Sequence, residues 1–172
     1  MDEMGTTSLL TFAEFELLPE IEGKRELLDG EVTILPPPVL AHSRIAKRIF
    51  LLLLACLPES RVWPDHTGYR IAQGWIEPDV SVSWPDQCRD EKYFLGSPMI
   101  AVEIVSPGKE IDHKLTLYFA DGAHEVWVID AKRKAMTVYS KLNDQVIRRV
   151  VDREYRSNAT AQATFTLAEI FG

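Results

Sequence analysis

The sequence is poor in the features that would place it at once. It has two cysteines in 172 residues, Cys56 and Cys88, and neither lies in a C-x-x-C spacing, so a thiolate metal site is not indicated and a reducing compartment is the simplest setting. Its longest apolar run, "IFLLLLACL", is nine residues, too short to cross a bilayer. The start, "MDEMGTTSLLTF", lacks the basic-then-apolar pattern of a secretory signal, and the expected location is the cytoplasm, with no membrane partner. There is no repeat of 20 to 50 residues, no low-complexity tract, no zinc knuckle and no helix-turn-helix. Basic residues are outnumbered: 19 Lys and Arg against 26 Asp and Glu give a net charge of −7. That balance argues against a non-specific nucleic-acid coat, though a local basic surface can sit on an acidic protein.

What remains is an ordinary globular composition, 46% apolar and 26% charged, in a length suited to one domain over residues 1–172. "TFAEFELLP" carries a capping-box spacing, Thr11 to Glu14, at the head of a short helix stopped by Pro19. "RELLDGEVTILPPP" is two extended runs about Asp29-Gly30, a hairpin signal. "HSRIAKRIFLLLLACLP" has apolar residues at 45, 49, 52, 53, 56 and 57, a helical period. Its Arg44, Lys47 and Arg48 form either a solvated face or a small basic surface for phosphates. "TGYRIAQGWIEPDVSVSWP" reads as two strands broken at Gly74. In the second, Ile76, Val80 and Val82 alternate with Glu77, Asp79, Ser81 and Ser83, giving one apolar and one polar face. "EIDHKLTLYFADG" is a helix with Gly122 as C-cap. Three further strands and a terminal helix, "TLAEIFG", complete a mixed α/β or α+β order, with helices flanking a central mixed β-sheet and a helix and β-hairpin at the N-terminus.

Within this pattern one carboxylate is misplaced. In "MIAVEIVSPG", residues 99 to 108, six of the first seven side chains are apolar and Glu103 sits among them. An unpaired buried carboxylate costs several kcal/mol, so Glu103 requires a partner. The next helix supplies a candidate. With Ile111 at zero and about 100° per residue, Lys114 falls near −60°, inside a face shared with Leu115 near 40° and Tyr118 near −20°. Lysine is rarely buried alone. One reading is a structural ion pair, or a lysine that snorkels outward. The other adds Asp79, from "EPDV": two carboxylates on neighbouring strands suit a hard divalent cation, since Mg²⁺ takes one or two carboxylates and keeps waters and phosphate oxygens. A lysine beside it would balance charge on a phosphate in the transition state.

Taken together, "RELLDGEV", "PPPVLAHSRI", "IEPDVSV", "IAVEIVSPG", "KLTLYFADGAHEVWVID" and the final "TLAEIF" resemble, in order and from about residue 9 to 171, the Uma2 family of endonucleases, formerly a domain of unknown function. The resemblance implies a restriction-endonuclease-like core of the PD-(D/E)xK superfamily. It implies Asp79 as the motif aspartate and Glu103 as the second carboxylate, both holding Mg²⁺ or Mn²⁺. The superfamily's usual lysine position, two after the glutamate, is Val105 here, and the resemblance points to Lys114 instead. It implies Glu26 as an extra acid near the metal, with Glu31 as a rival, and His42 as a phosphate ligand or proton-transfer group. The loop "SPGKEIDHK" is shorter than the family's by about three residues, which makes Lys109 the alternative to Lys114. The implied activity is hydrolysis of phosphodiester bonds in DNA. Separately, the strands "MTVYSKL" and "QVIRRVV" are expected to leave an edge or face with exposed apolar residues such as Met136, Val138 and Tyr139, and a homodimer is expected on that ground. The competing expectation is a non-catalytic domain binding nucleic acid or protein on the same fold. RNA or a small phosphoester is a further substrate class.

Overall fold

The computed structural model describes residues 9–105 and 111–172. In chain order its elements are α1 (Phe12–Glu16), β1 (Lys24–Leu28), β2 (Glu31–Leu35), α2 (Leu40–Cys56), β3 (Val62–Pro64), β4 (Tyr69–Ile71), β5 (Gly74–Ile76), β6 (Val80–Val82), β7 (Phe94–Leu95), β8 (Ile100–Val105), α3 (Asp112–Ala120), β9 (Glu125–Asp130), β10 (Ala135–Leu142), β11 (Gln145–Val151), β12 (Glu154–Arg156), β13 (Thr164–Thr166) and α4 (Leu167–Phe171).

Local chemistry accounts for the N-terminal elements. Thr11 caps α1: its backbone N–H donates to Glu14 Oε2 at 2.8 Å while its hydroxyl accepts from the Glu14 N–H at 3.3 Å. Asp29 and Gly30 turn the β1–β2 hairpin with φ of 49° and 85°, the left-handed pair that a two-residue hairpin demands. The buried residues of α2, Ile45, Ile49 and Leu53, recur every four positions, which sets one helical stripe against the sheet.

The chain forms two main sheets. One has six strands in the order β11-β10-β9-β8-β6-β3, the other five in the order β2-β1-β5-β4-β7; β12 and β13 pair separately. The six-stranded sheet is mixed: β8 and β9 run parallel, while β6 pairs antiparallel with β8 and β10 with β9. On one face Ile45, Ile49 and Leu53 of α2 pack with Ile100, Val102, Ile104, Trp127 and Ile129. On the other, Leu115, Tyr118 and Phe119 of α3 pack with Ala101, Val126 and residues of the smaller sheet, Tyr69 and Ile76. Helices on both faces of a central mixed sheet are the architecture expected from the element order.

Two expectations are corrected. The segment read as one strand over residues 76–83 is two strands in different sheets, because β5 pairs with β1 and β4 while β6 pairs with β3 and β8. Its polar face is not solvated either. Ser81 and Ser83 are buried, and Ser81 shares a hydrogen bond of 2.8 Å with the Tyr69 hydroxyl. In the C-terminal hairpin, Met136 and Val138 are core residues and Tyr139 is half-buried; the exposed apolar side chains are Leu142 at the end of β10 and Val146, Ile147 and Val150 of β11.

Gly74 fixes how the smaller sheet sits on β1. It pairs with Leu28 at φ 147°, and a Cβ there would meet the Leu27 carbonyl oxygen at 1.9 Å. Farther on, the fully buried Glu125 is satisfied by donors from β9 and from the C-terminal segment: Trp127 Nε1 at 2.8 Å, the Tyr155 hydroxyl at 2.8 Å, the Ser157 hydroxyl at 2.9 Å and the Asn158 N–H at 2.6 Å. No helix among the described residues is long and apolar enough to cross a membrane.

Candidate active site

The two sheets meet around a cavity of about 490 Å³ lined by Lys24, Glu26, His42, Asp79, Glu103 and Lys114, among others. They arrive from five parts of the chain. Lys24 and Glu26 are two apart on β1 and so share a face. His42 is in the first turn of α2, Asp79 directly precedes β6, Glu103 is on β8 and Lys114 on α3.

Strand register brings the carboxylates together. Val80 pairs with Val102 in an antiparallel ladder, so Asp79 stands opposite Glu103. The Asp79 N–H donates to the Val102 carbonyl at 3.0 Å, and Asp79 Oδ2 accepts the Ile104 N–H at 2.7 Å. The same oxygen lies 3.1 Å from His42 Nε2. His42 Nδ1 is buried and without a hydrogen-bond partner among the described residues.

The partner that Glu103 requires is double. Lys114 Nζ lies 2.6 Å from Glu103 Oε1, and the Tyr118 hydroxyl donates to that oxygen at 2.5 Å. Lys114 also donates to Glu26 Oε1 at 2.6 Å, an oxygen that accepts the Glu77 N–H at 3.1 Å. The lysine predicted to face the Asp79–Glu103 pair thus faces Glu103 and Glu26. The cation on Asp79 is another residue, Lys24, whose ammonium is 2.6 Å from Asp79 Oδ1 and 2.9 Å from Asp65 Oδ1.

The electrostatics follow from burial and pairing. Burial alone would push the Asp79 carboxyl up, but the hydrogen bond from His42 and the charge of Lys24 outweigh it and hold the group well below the usual aspartate range. Glu103 is raised: burial dominates, Lys114 pulls it down, and the neighbouring charges of Asp79 and Glu26 push it up again. Burial opposes the charge on Lys114, yet Glu103 and Glu26 more than compensate and keep the ammonium firmly protonated. Lys24 behaves alike, with Asp79, Glu103 and Asp65 overcoming its burial.

The donor set fits a divalent cation by charge. Asp65, Glu26, Asp79 and Glu103 face Lys24 and Lys114 in one cavity, so with carboxylates ionised and imidazoles neutral the described lining residues carry two uncompensated negative charges. No three His, Cys, Asp or Glu side chains among the described residues form a preformed metal cage, because the two ammonium groups stand between the acids. Mg²⁺ needs no such cage, since one or two carboxylates and water complete its shell.

Several candidates fall elsewhere. Glu31 is exposed at the hairpin end of β2 and does not line the cavity. Lys109 lies outside the described residues. On α2, Arg48 donates to the Ile170 carbonyl at 3.3 Å and so closes the end of α4, which leaves Arg44 and Lys47 exposed on that surface. Lys24 and Asp65 were not singled out in the sequence. The available signal was the Lys24-x-Glu26 alternation, two opposite charges on one face of a strand beside a hairpin turn.

Comparison with known proteins bears on the family and the fold. Residues 12–168 match the family model Uma2, described as "Putative restriction endonuclease". The crystal structure of a protein from Anabaena variabilis, described as a putative nuclease belonging to DUF820, has the same fold. The TM-score is 0.80 at 22% identity, over 94% of this chain and 97% of that one. No curated protein matches the chain.

Proposed function

This chain belongs to the Uma2 family of restriction-endonuclease-type proteins, and from that premise we propose that it is a metal-dependent endonuclease hydrolysing phosphodiester bonds of DNA. The observation that carries the reading is the placement of Asp79 opposite Glu103 across β6 and β8, with Lys114 against Glu103 in the same cavity. Asp79 and Glu103 would hold Mg²⁺ or Mn²⁺, which supplies Lewis-acid stabilisation of the phosphate and a nucleophilic water near neutral pH.

The chain's own groups have distinct tasks. Lys114, fixed between Glu26 and Glu103, presents a permanent positive charge to the oxygens that gain charge as the phosphoryl centre is attacked. Glu26 aims that lysine. Tyr118 and Lys114 both occupy Oε1 of Glu103, which orients the carboxylate. His42 steadies Asp79 from the head of α2 and is placed to meet a phosphate or carry a proton.

Charge placement supports a nucleic-acid substrate. Residues 131–157 hold eight of the chain's 19 basic residues and only three of its 26 acids. Three of the eight, Lys132, Arg133 and Lys134, are exposed in the turn after β9. Asp130, at the end of β9, pairs with Val105 at the end of β8, so this turn lies at the same end of the sheet as Glu103.

The test is digestion of supercoiled plasmid and of matched RNA with Mg²⁺, with Mn²⁺ and with chelator. Metal-dependent nicking of DNA that Asp79→Ala and Glu103→Ala abolish is expected. Binding without cleavage under every condition would instead identify a non-catalytic nucleic-acid domain. The proposed setting is the cytoplasm and the proposed assembly a homodimer, for which Val146, Ile147 and Val150 are the exposed apolar residues available. Sedimentation at micromolar concentration decides that point.

A further inference from the structure

Lys24 is the cavity's second cation, and its position is unlike that of Lys114. It is 7% exposed, and its ammonium bridges Asp79 Oδ1 at 2.6 Å and Asp65 Oδ1 at 2.9 Å. The other oxygen of Asp79 is committed to protein groups, the Ile104 N–H at 2.7 Å and His42 Nε2 at 3.1 Å. The Ile104 contact is buried and ties the Asp79 carboxylate to the backbone of β8, one residue past Glu103. Oδ1 is therefore the oxygen of Asp79 available to an incoming cation, and Lys24 holds it. At Glu103 the contacts among the described residues, Lys114 and Tyr118, both fall on Oε1, which leaves Oε2 to an incoming cation.

A divalent ion about 2.1 Å from a carboxylate oxygen and an ammonium at hydrogen-bond distance from the same oxygen repel each other strongly in a buried site. One must leave. The flexible four-carbon stem of lysine permits the move, and Asp65, whose side chain is 26% exposed, gives the ammonium a second partner nearer the solvent. We propose that Lys24 is an exchangeable counter-ion: it neutralises Asp79 before the divalent cation enters, gives up Oδ1 to it, and then turns its charge to a phosphate oxygen of the DNA. This rests on the metal-dependent nuclease reading above. It makes Lys24 a residue that opposes metal binding yet favours the reaction, the opposite of a metal ligand.

The test is titration of the full-length protein with Mn²⁺, followed by calorimetry and by the paramagnetic signal of free Mn²⁺, in the wild type and in Lys24→Met, Lys24→Arg and Asp79→Asn. Lys24→Met should bind Mn²⁺ about tenfold tighter or more, as loss of one nearby like charge requires, and its melting temperature should rise further on Mn²⁺ addition than that of the wild type. At saturating Mn²⁺ it should cleave DNA more slowly, by about tenfold or more. Lys24→Arg, which keeps the charge, should bind Mn²⁺ closer to the wild type than Lys24→Met does. Asp79→Asn should lose binding. A Lys24→Met protein that is folded and binds Mn²⁺ no tighter than the wild type overturns the proposal while leaving the metal site standing. Wild-type protein that binds no Mn²⁺ overturns the nuclease reading and this proposal together.

Discussion

Asp79 and Glu103 stand opposite each other across two paired strands, yet their carboxyl groups are driven in opposite directions. Asp79 is held below the ordinary range by His42 and Lys24, against its burial. Glu103 is raised chiefly by burial, with the charges of Asp79 and Glu26 adding to it. The charged form of one carboxylate is favoured and that of the other disfavoured, a divergence of the kind that gathers at functional sites.

The two should therefore differ in what they do for stability. A lowered folded pKa contributes stability that is present above the unfolded value, about 3.9 for Asp, and is lost as pH falls through the folded value. A raised one contributes stability that is present below the unfolded value, about 4.3 for Glu, and is lost as pH rises through the folded value. At pH 7.5 Asp79→Asn should cost about 3 kcal/mol, since it strips Lys24 of a buried partner. Glu103→Gln should fall within about 1 kcal/mol of the wild type or above it, because Glu26 still pairs Lys114. The Asp79→Asn protein should also lose part of the stability decline between about pH 4 and pH 2. Urea unfolding across pH gives both comparisons.

Lys114 should matter for rate and for stability at once. Lys114→Met removes a charge that faces the phosphate and should slow cleavage about 100-fold or more. It also leaves Glu26 and Glu103 buried without their cation, at a cost of about 3–5 kcal/mol. Mn²⁺ affinity should persist, because the ligands are carboxylates. Lys109→Ala is the control: full activity there, with loss in Lys114→Met, assigns the role to α3, and the reverse result moves it to the loop.

Gly74 ties the fold to the site. Gly74→Ala would drive a methyl group into the Leu27 carbonyl, in the strand that presents Lys24 and Glu26. We expect poor expression or a melting temperature lowered by about 4–8 °C or more, the order that about 2 kcal/mol produces in a domain of this size. Gly122→Ala, where an added Cβ meets nothing within 4 Å, should be milder despite its positive φ. Circular-dichroism melts compare the two.

The basic turn predicts a salt effect. Replacing Lys132, Arg133 and Lys134 by alanine should weaken duplex binding with little sequence preference. The slope of log affinity against log salt should shrink by about 1 to 3, as each lost phosphate contact removes about 0.9. Fluorescence anisotropy on a labelled duplex with Ca²⁺ in place of Mg²⁺ measures it.

The order of the carboxylates, the helical face of Lys114 and the Asp29-Gly30 hairpin were legible in the sequence because each is local: a strand's neighbours, a wheel, a turn. Lys24 was not. In "GKRELLDG" it looks like one more solvated charge, and only the pairing of β1 with β5, some fifty residues away, turns its face inward. Residues 76–83 misled for a related reason. Alternation reads a polar side as wet, whereas here Ser81 and Asp79 point into a second packed layer whose existence no short window reveals. Met136 and Val138 misled likewise as exposed residues, since they join a core cluster with Phe165 of β13 and Ile170 of α4, far along the chain.

Glu125 carries a consequence for the order of events in the cell. Its donors at Tyr155, Ser157, Asn158 and Ala159 leave the ribosome 30 to 34 residues after it. Until they arrive, β9 holds a carboxylate at its buried end answered by little more than Trp127, a deficit of several kcal/mol in a domain whose whole stability is of order 5–15 kcal/mol. β9 is also the strand on which β8, with Glu103, is laid down. A nascent chain ending before residue 155 thus lacks the means to complete its sheet, and the strand that carries Glu103 gains its full support only after these later residues are made.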